Sequence, residues 1–208
     1  MSFQPACIVV AGPSGVGKST LIARALEQLP DWMLSVSATT RPIRDGEVDG
    51  VNYHYYSREQ FEAQVICGGF LEFAQVYGNY YGTPVSETQR AARSGRNMVF
   101  EVDSVGCLSI RALRPQYPLL AIVPPELEEL RRRLEGRGTE SAESLQLRLS
   151  NSVAELQRMR GFDFAIVNDD IELAASQLTQ VMSLVGAGLT SVTPRIDGIL
   201  EKAGGSKT

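Results

Sequence analysis

The sequence predicts an α/β fold: a parallel sheet flanked by helices, interrupted by a smaller α/β insertion. Three observations carry that expectation. An apolar run, Cys7–Ala11, leads through a glycine-rich turn into a stretch with apolar residues at helical spacing. Short Val- and Ile-rich runs then alternate with helix-patterned segments along most of the chain. The rhythm breaks only over residues 38–96.

Each element has a local reason. Cys7–Ala11 is bounded by Gly12-Pro13 and reads as a buried strand. Leu21, Ile22, Ala25, Leu26 and Leu29 mark a helix over 19–29, which Pro30 ends. Residues 33–37 form a second short strand candidate, and 38–51 read as polar loop. A strand is expected at 53–56. Ser57-Arg58-Glu59-Gln60 is a capping box opening a helix that Gly68-Gly69 stops. The stretch from Phe70 to Tyr81 reads as strands of a small sheet, and Ser86–Ser94 as a helix closed by Gly95. Then follow a strand at 98–102, a helix over Ser104–Leu113, a strand at Leu119–Val123 and a charged helix over 126–134. Gly136 to Thr139 breaks that helix. A long helix over 142–159, a strand at Phe164–Val167 and a helix over 171–185 complete the pattern. Residues 186–208 lack apolar periodicity and read as a loose tail.

Composition narrows the function classes. The chain has 208 residues, 43% hydrophobic and 21% charged, enough to build a core without disulfides or metals. The longest apolar runs, such as 6–11 and 119–123, fall far short of the ~20 residues of a membrane span. No basic segment precedes the first apolar run, so no signal peptide is expected. A net charge of −4 gives no general attraction to nucleic acid or to an acidic membrane. Cys7, Cys67 and Cys107 have no metal-ligand spacing and read as three buried or half-buried thiols in a reducing compartment, the cytoplasm. Lys18 stands out: the other lysines, Lys202 and Lys207, lie in the tail, against 17 arginines elsewhere. A compact ammonium on a flexible stem is what that position keeps.

The glycine turn explains why. Gly12-Pro13-Ser14-Gly15-Val16-Gly17-Lys18-Ser19 matches G-x-x-x-x-G-K-[ST] between a strand and a helix. Such a loop turns backbone N–H groups into one cavity, with a helix N-terminus behind them. Lys18 then reaches the β- and γ-phosphates, and the Ser19 hydroxyl is a Mg²⁺ ligand. A phosphate loop does not say where a phosphoryl group goes. Within the insertion, Arg41 and Arg44 lie three apart on a loop, with Tyr53 and Tyr81 downstream. This set can grip a phosphate monoester through bidentate guanidinium bonds and phenol donors, or it can be an ordinary solvated loop. Among Arg131, Arg132 and Arg133, not all can face one site from a single helix. The first two suit ion pairs with Glu128, Glu129 and Glu135, whereas Arg133 and Arg137, four apart, can project together. His54, the sole histidine, reads as structural.

With these segments in view, the chain resembles the guanylate kinase family from about Ile8 to about Leu184. The resemblance rests on G-P-S-G-V-G-K-S-T-L, S-A-T-T-R-P-x-R-x-G-E, G-N-Y-Y-G-T-P, L-E-G-R-G-T and I-V-N-D-D. It implies a P-loop NTPase core over 1–37 and 97–185, a small lid at about 131–148, and a GMP-binding insertion over 38–96. It also implies transfer of a phosphoryl group from ATP to GMP with Mg²⁺. Gly12, Pro13, Ser14, Gly15, Val16, Gly17, Lys18, Ser19 and Thr20 would hold the ATP phosphates, and Asn168 would lie near adenine. Arg41, Arg44, Tyr53 and Tyr81 would hold the GMP phosphate. Ser37, Glu72, Thr83 and Asp103 would surround guanine. Glu101 would sit by the waters of Mg²⁺, and Arg133, Arg137 and Arg148 would approach the transferring group. The chain departs from the family pattern at Val105, usually Gln, at Ile43, often Pro, and at Phe73 beside Glu72. Two rivals remain at this point: a related kinase of another phosphorylated acceptor, and a non-catalytic protein-binding module of the same fold. A homo-oligomer is left open.

Overall fold

The computed structural model describes residues 3–76, 78–135 and 142–189. Arg137, the remainder of the expected lid between 136 and 141, and the tail beyond 189 lie outside the described residues.

A five-stranded sheet forms the centre, in the order β2-β7-β1-β8-β9, with every neighbouring pair parallel. Its strands are β1 (Cys7–Ala11), β2 (Trp32–Leu34), β7 (Asn97–Glu101), β8 (Leu119–Val123) and β9 (Phe164–Val167). β1 and β8 are buried along their whole length. Their continuous apolar runs follow from that, since both faces are covered. On one face Ile8, Val10, Leu120 and Ile122 pack with α1 (Lys18–Gln28) and α7 (Ile171–Gly186). On the other, Val9, Ala11, Ala121 and Phe100 pack with α4 (Ser104–Leu113) and the end of α6 (Ala142–Arg158). Asp170 caps α7 through bonds from the Glu172 and Leu173 N–H groups.

The insertion carries a four-stranded sheet, β4-β3-β6-β5. Its strands are β3 (Ala38–Thr39), β4 (His54–Tyr55), β5 (Phe70–Val76) and β6 (Asn79–Pro84). Its own small core is aromatic: Phe61 of α2 (Arg58–Ile66) stacks on Phe70 at 4.3 Å and on Tyr80 at 5.2 Å. The capping box forms as expected, Ser57 accepting from the Gln60 N–H while the Gln60 side chain accepts from the Ser57 N–H. α3 (Ser86–Ser94) follows β6 and buries Ala91 in the core beneath β7. α5 (Leu127–Glu135) packs Leu130 and Leu134 on the α1 side.

Three expectations need adjustment. Residues 38–39, read as loop, pair with β4 and β6, because two partners supply ladder bonds that such a short polar segment could not signal. The strand expected at 33–37 stops at Leu34, where the chain leaves the central sheet for the insertion. Cys67 is exposed at the end of α2, whereas Cys7 and Cys107 are buried; all three are unpaired. No helix among the described residues is long and apolar enough to cross a membrane.

Candidate active site

The loop between β1 and α1 is shaped by close packing. A Cβ on Gly12 would lie 2.3 Å from the Ile122 carbonyl oxygen of β8, so only glycine lets the loop leave the sheet there. Gly17 has φ 95°, a left-handed conformation, and a Cβ on it would meet the Asn168 amide at 2.6 Å. Pro13 and Val16 are buried, whereas Ser14, Ser19 and Thr20 are exposed and Gly15 lies between. The Lys18 ammonium folds back over this loop, donating to the Gly12 carbonyl at 2.6 Å and the Pro13 carbonyl at 3.3 Å. Burial pushes its pKa down, against the pull of Glu101, Glu155, Cys107 and Asp103. The Ser19 hydroxyl donates to Glu101 at 2.8 Å, which sets two hard oxygen atoms side by side at the loop mouth.

Asn168 follows β9 and is 3% exposed. Its amide donates to the Val16 carbonyl at 2.7 Å. Its side chain is thus committed to the phosphate loop, a role the sequence did not suggest. Asn168→Ala leaves a buried carbonyl unpaired, at about 1–3 kcal/mol. The expected result is a Tm lowered by roughly 2–4 °C per kcal/mol, with a raised KM for the phosphoryl donor. Thermal melts and initial rates check both.

In the insertion, Arg41 donates two bonds to Glu47, at 2.8 and 3.0 Å, and its guanidinium lies 5.5 Å from the centre of the Tyr53 ring. Glu47 also accepts from the Tyr55 hydroxyl and the Arg44 N–H, each at 2.8 Å. The Arg41 bonds, then the Arg44 N–H, hold the Glu47 pKa down at about 2. This ordering of the loop is therefore present above the usual carboxylate range and is lost as pH falls from there towards about 2. Arg44 is exposed beside this cluster, and Tyr53 meets Tyr81 edge-on at 6.0 Å.

Glu72 lies on β5, with its pKa raised by burial and by Asp103 against the hydrogen bond from Thr83. The buried Thr83 hydroxyl donates to it at 2.6 Å. Asp103 caps α4, accepting from the Gly106 N–H at 2.7 Å. That bond orients Asp103 without help from Val105, which is 53% exposed.

Two cavities unite part of this set; Ser19, Asn168, Arg41, Arg44 and Thr83 line neither of them. One, of about 400 Å³, is lined by Gly12, Ser14, Lys18 and Glu155 together with Tyr53, Glu101, Val102 and Asp103. The other, of about 140 Å³, is lined by Ser37, Glu72, Ala74, Val76, Tyr81 and Gly82. Tyr53, Glu101, Val102 and Asp103 also bound this second cavity, so the two meet edge to edge.

A model of the guanylate kinase family matches residues 4–184. The chain belongs to the guanylate kinase family. The guanylate kinase of Rubrobacter xylanophilus is 45% identical over 181 residues, covering 87% of this chain and 95% of that one. That of Synechococcus sp. strain CC9311 is 44% identical, covering 85% and 93%. A crystal structure of guanylate kinase from Anaplasma phagocytophilum superposes with a TM-score of 0.67 at 26% identity, covering 100% of this chain and 98% of that one. As a member of this family the protein is a phosphotransferase with a P-loop core.

Some expected site residues of this guanylate kinase family member lie off the two cavities. Arg133 donates to Glu129 at 2.8 Å and to the Asn168 carbonyl at 3.0 Å, so it joins the ion pairs expected of its neighbours. Arg131 pairs with Glu135, and Arg132 with Glu129. Arg148 is exposed on α6, two turns before Glu155 and on the same face of that helix. Arg137 lies outside the described residues. Sequence reasoning missed Glu155, Ala74, Val76 and Val102. A single glutamate in a charged helix and small apolar residues in a strand carry no signal until the elements are brought together.

Proposed function

We propose that the protein transfers the γ-phosphoryl group of ATP to GMP, giving ADP and GDP. The observation that carries this reading is the junction of the two cavities at Tyr53, Glu101 and Asp103. A nucleotide with its phosphates on the loop and a second nucleotide in the insertion would meet there, phosphate towards phosphate. Catalysis is then positioning and charge neutralisation. The attacking phosphate oxygen is already ionised, so no general base is needed, and His54 bonds Glu87 at 3.2 Å instead.

The loop N–H groups and Lys18 hold the donor phosphates. Asn168 keeps that loop in shape. Arg41, Arg44, Tyr53 and Tyr81 hold the acceptor phosphate, and Arg41 keeps donors beyond those given to Glu47. Ser37, Glu72, Thr83 and Asp103 face the base, with Ala74, Val76 and Val102 as apolar walls. Arg133, Arg137 and Arg148 belong to the segment that closes over both nucleotides and excludes water. Ser19 and Glu101 fit a Mg²⁺ carried by the donor: both offer hard oxygens, and the described residues hold no cluster of three or more acidic, His or Cys ligands for a metal of their own. When bound, Mg²⁺ neutralises phosphate charge. The cytoplasm is the compartment that suits three unpaired cysteines.

The test is an acceptor panel with ADP detection: GMP, dGMP, AMP, CMP, UMP and a ribose phosphate, each with ATP and Mg²⁺. GMP is expected to exceed AMP, CMP and UMP by at least ~10² in kcat/KM. Preference for the ribose phosphate, or no ADP formation with any acceptor, would overturn the proposal.

A further inference from the structure

The chain crosses from the central sheet to the insertion through a strap, residues 35–37. The Ser35 N–H still bonds the Val99 carbonyl of β7 at 3.0 Å. The Ser37 carbonyl already accepts from the His54 N–H of β4 at 2.8 Å. Between them the backbone leaves both ladders, and its groups need other partners. α3 supplies them. Glu87, 2% exposed, accepts from the Val36 N–H at 2.7 Å. Arg90, one turn on, donates to the Leu34 carbonyl at 2.9 Å and to Glu87 at 2.6 Å. The ring of His54 bonds the other Glu87 oxygen at 3.2 Å. One buried carboxylate thus links the core-packed helix α3, the strap and the insertion sheet.

We propose that Glu87, seconded by Arg90, is a positioning residue for the acceptor nucleotide: it clamps the strap so that Ser37 is held at the wall of the smaller cavity. This rests on the assignment of that cavity to GMP. Burial alone would push the Glu87 pKa up, but Arg90, the Val36 N–H and His54 together hold it below the usual range, so the clamp is ionised at neutral pH. Glu87 lines neither cavity, so its effect would pass through the strap and fall on one substrate only. Neither residue stood out in the sequence, because an i, i+3 Glu–Arg pair on a helix is ordinarily a surface ion pair.

The experiment compares wild type, Glu87→Ala, Glu87→Gln, Ser37→Ala and the Glu87→Ala/Ser37→Ala double variant, measuring kcat and both KM values with ATP and GMP. Glu87→Ala is expected to raise KM for GMP about tenfold, the equivalent of one charged hydrogen bond, with KM for ATP unchanged. Glu87→Gln, whose carbonyl still accepts from Val36, should stay within about threefold of wild type. The double variant should lose less than the two singles combined, since both act on one position. An unchanged GMP KM in folded Glu87→Ala, or equal rises for GMP and ATP, overturns the inference. If Ser37→Ala raises the GMP KM while Glu87→Ala does not, this inference alone fails. If Ser37→Ala has no effect either, the cavity assignment fails with it. Should Glu87→Ala not fold, His54→Ala tests the same link from the insertion side. A raised GMP KM is expected, and an unchanged one overturns the proposal.

Discussion

Replacing Lys18 by alanine should lower kcat by on the order of 10²–10³-fold, the loss that follows removal of one preorganised donor at developing charge. The ammonium rests on the Gly12 and Pro13 carbonyls, inside the cavity that the donor phosphates would enter. Its charge is therefore in place before the nucleotide arrives, at little reorganisation cost. Binding of GMP should be almost unaffected, because Lys18 does not line the smaller cavity. Lys18→Arg is not a rescue: a planar guanidinium cannot fold back over a tight loop as a point charge does. Rapid-quench or steady-state rates with saturating ATP and GMP decide the matter. A variant with near wild-type kcat would remove the phosphate loop from the mechanism.

Glu72→Gln should cut kcat/KM for GMP by about 10²-fold while narrowing the gap to AMP. Thr83 donates to one Glu72 oxygen, so in the glutamine variant the same bond fixes the amide carbonyl and turns the NH₂ group to the other side. Guanine offers N–H donors on that edge, and donor would face donor. Adenine offers an acceptor at N1 and is penalised less. Stability should move the other way. The Glu72 pKa is raised, first by burial, so the folded state holds this proton more tightly than the unfolded chain. Stability therefore falls as pH rises from the ordinary carboxylate range through the raised value, so the ionised form of the group is a burden on the free protein. The glutamine variant should melt no lower than wild type at pH 7, yet use GMP poorly. A lower Tm with unchanged GMP kinetics would assign Glu72 to structure instead of recognition.

Legibility in the sequence followed the range of the interactions. The phosphate loop was readable because one contiguous stretch of backbone makes it, even though the room that only glycine leaves at Gly12 and Gly17 is set by Ile122 and Asn168, far along the chain. Strand β1 and the capping box at Ser57 were equally local. The residues proposed to face guanine were named only through resemblance to a family, since Ser37, Glu72, Thr83 and Asp103 come from four separate segments. The apolar walls Ala74, Val76 and Val102 were not named at all. Two-residue strand β3 was missed because its stability lies in neighbours on both sides, not in its own side chains.

By itself, the sequence determined an alternating α/β chain with a phosphate loop, because burial on both sheet faces and left-handed glycine turns are written in consecutive residues. Tertiary structure decided the rest. It brought the two cavities edge to edge at Tyr53, Glu101 and Asp103, gave the Asn168 amide to the Val16 carbonyl, and sank Glu87 beneath the strap. The physical reason is the same in each case: a buried polar group must find a partner, and which partner lies within 3 Å depends on how distant elements pack.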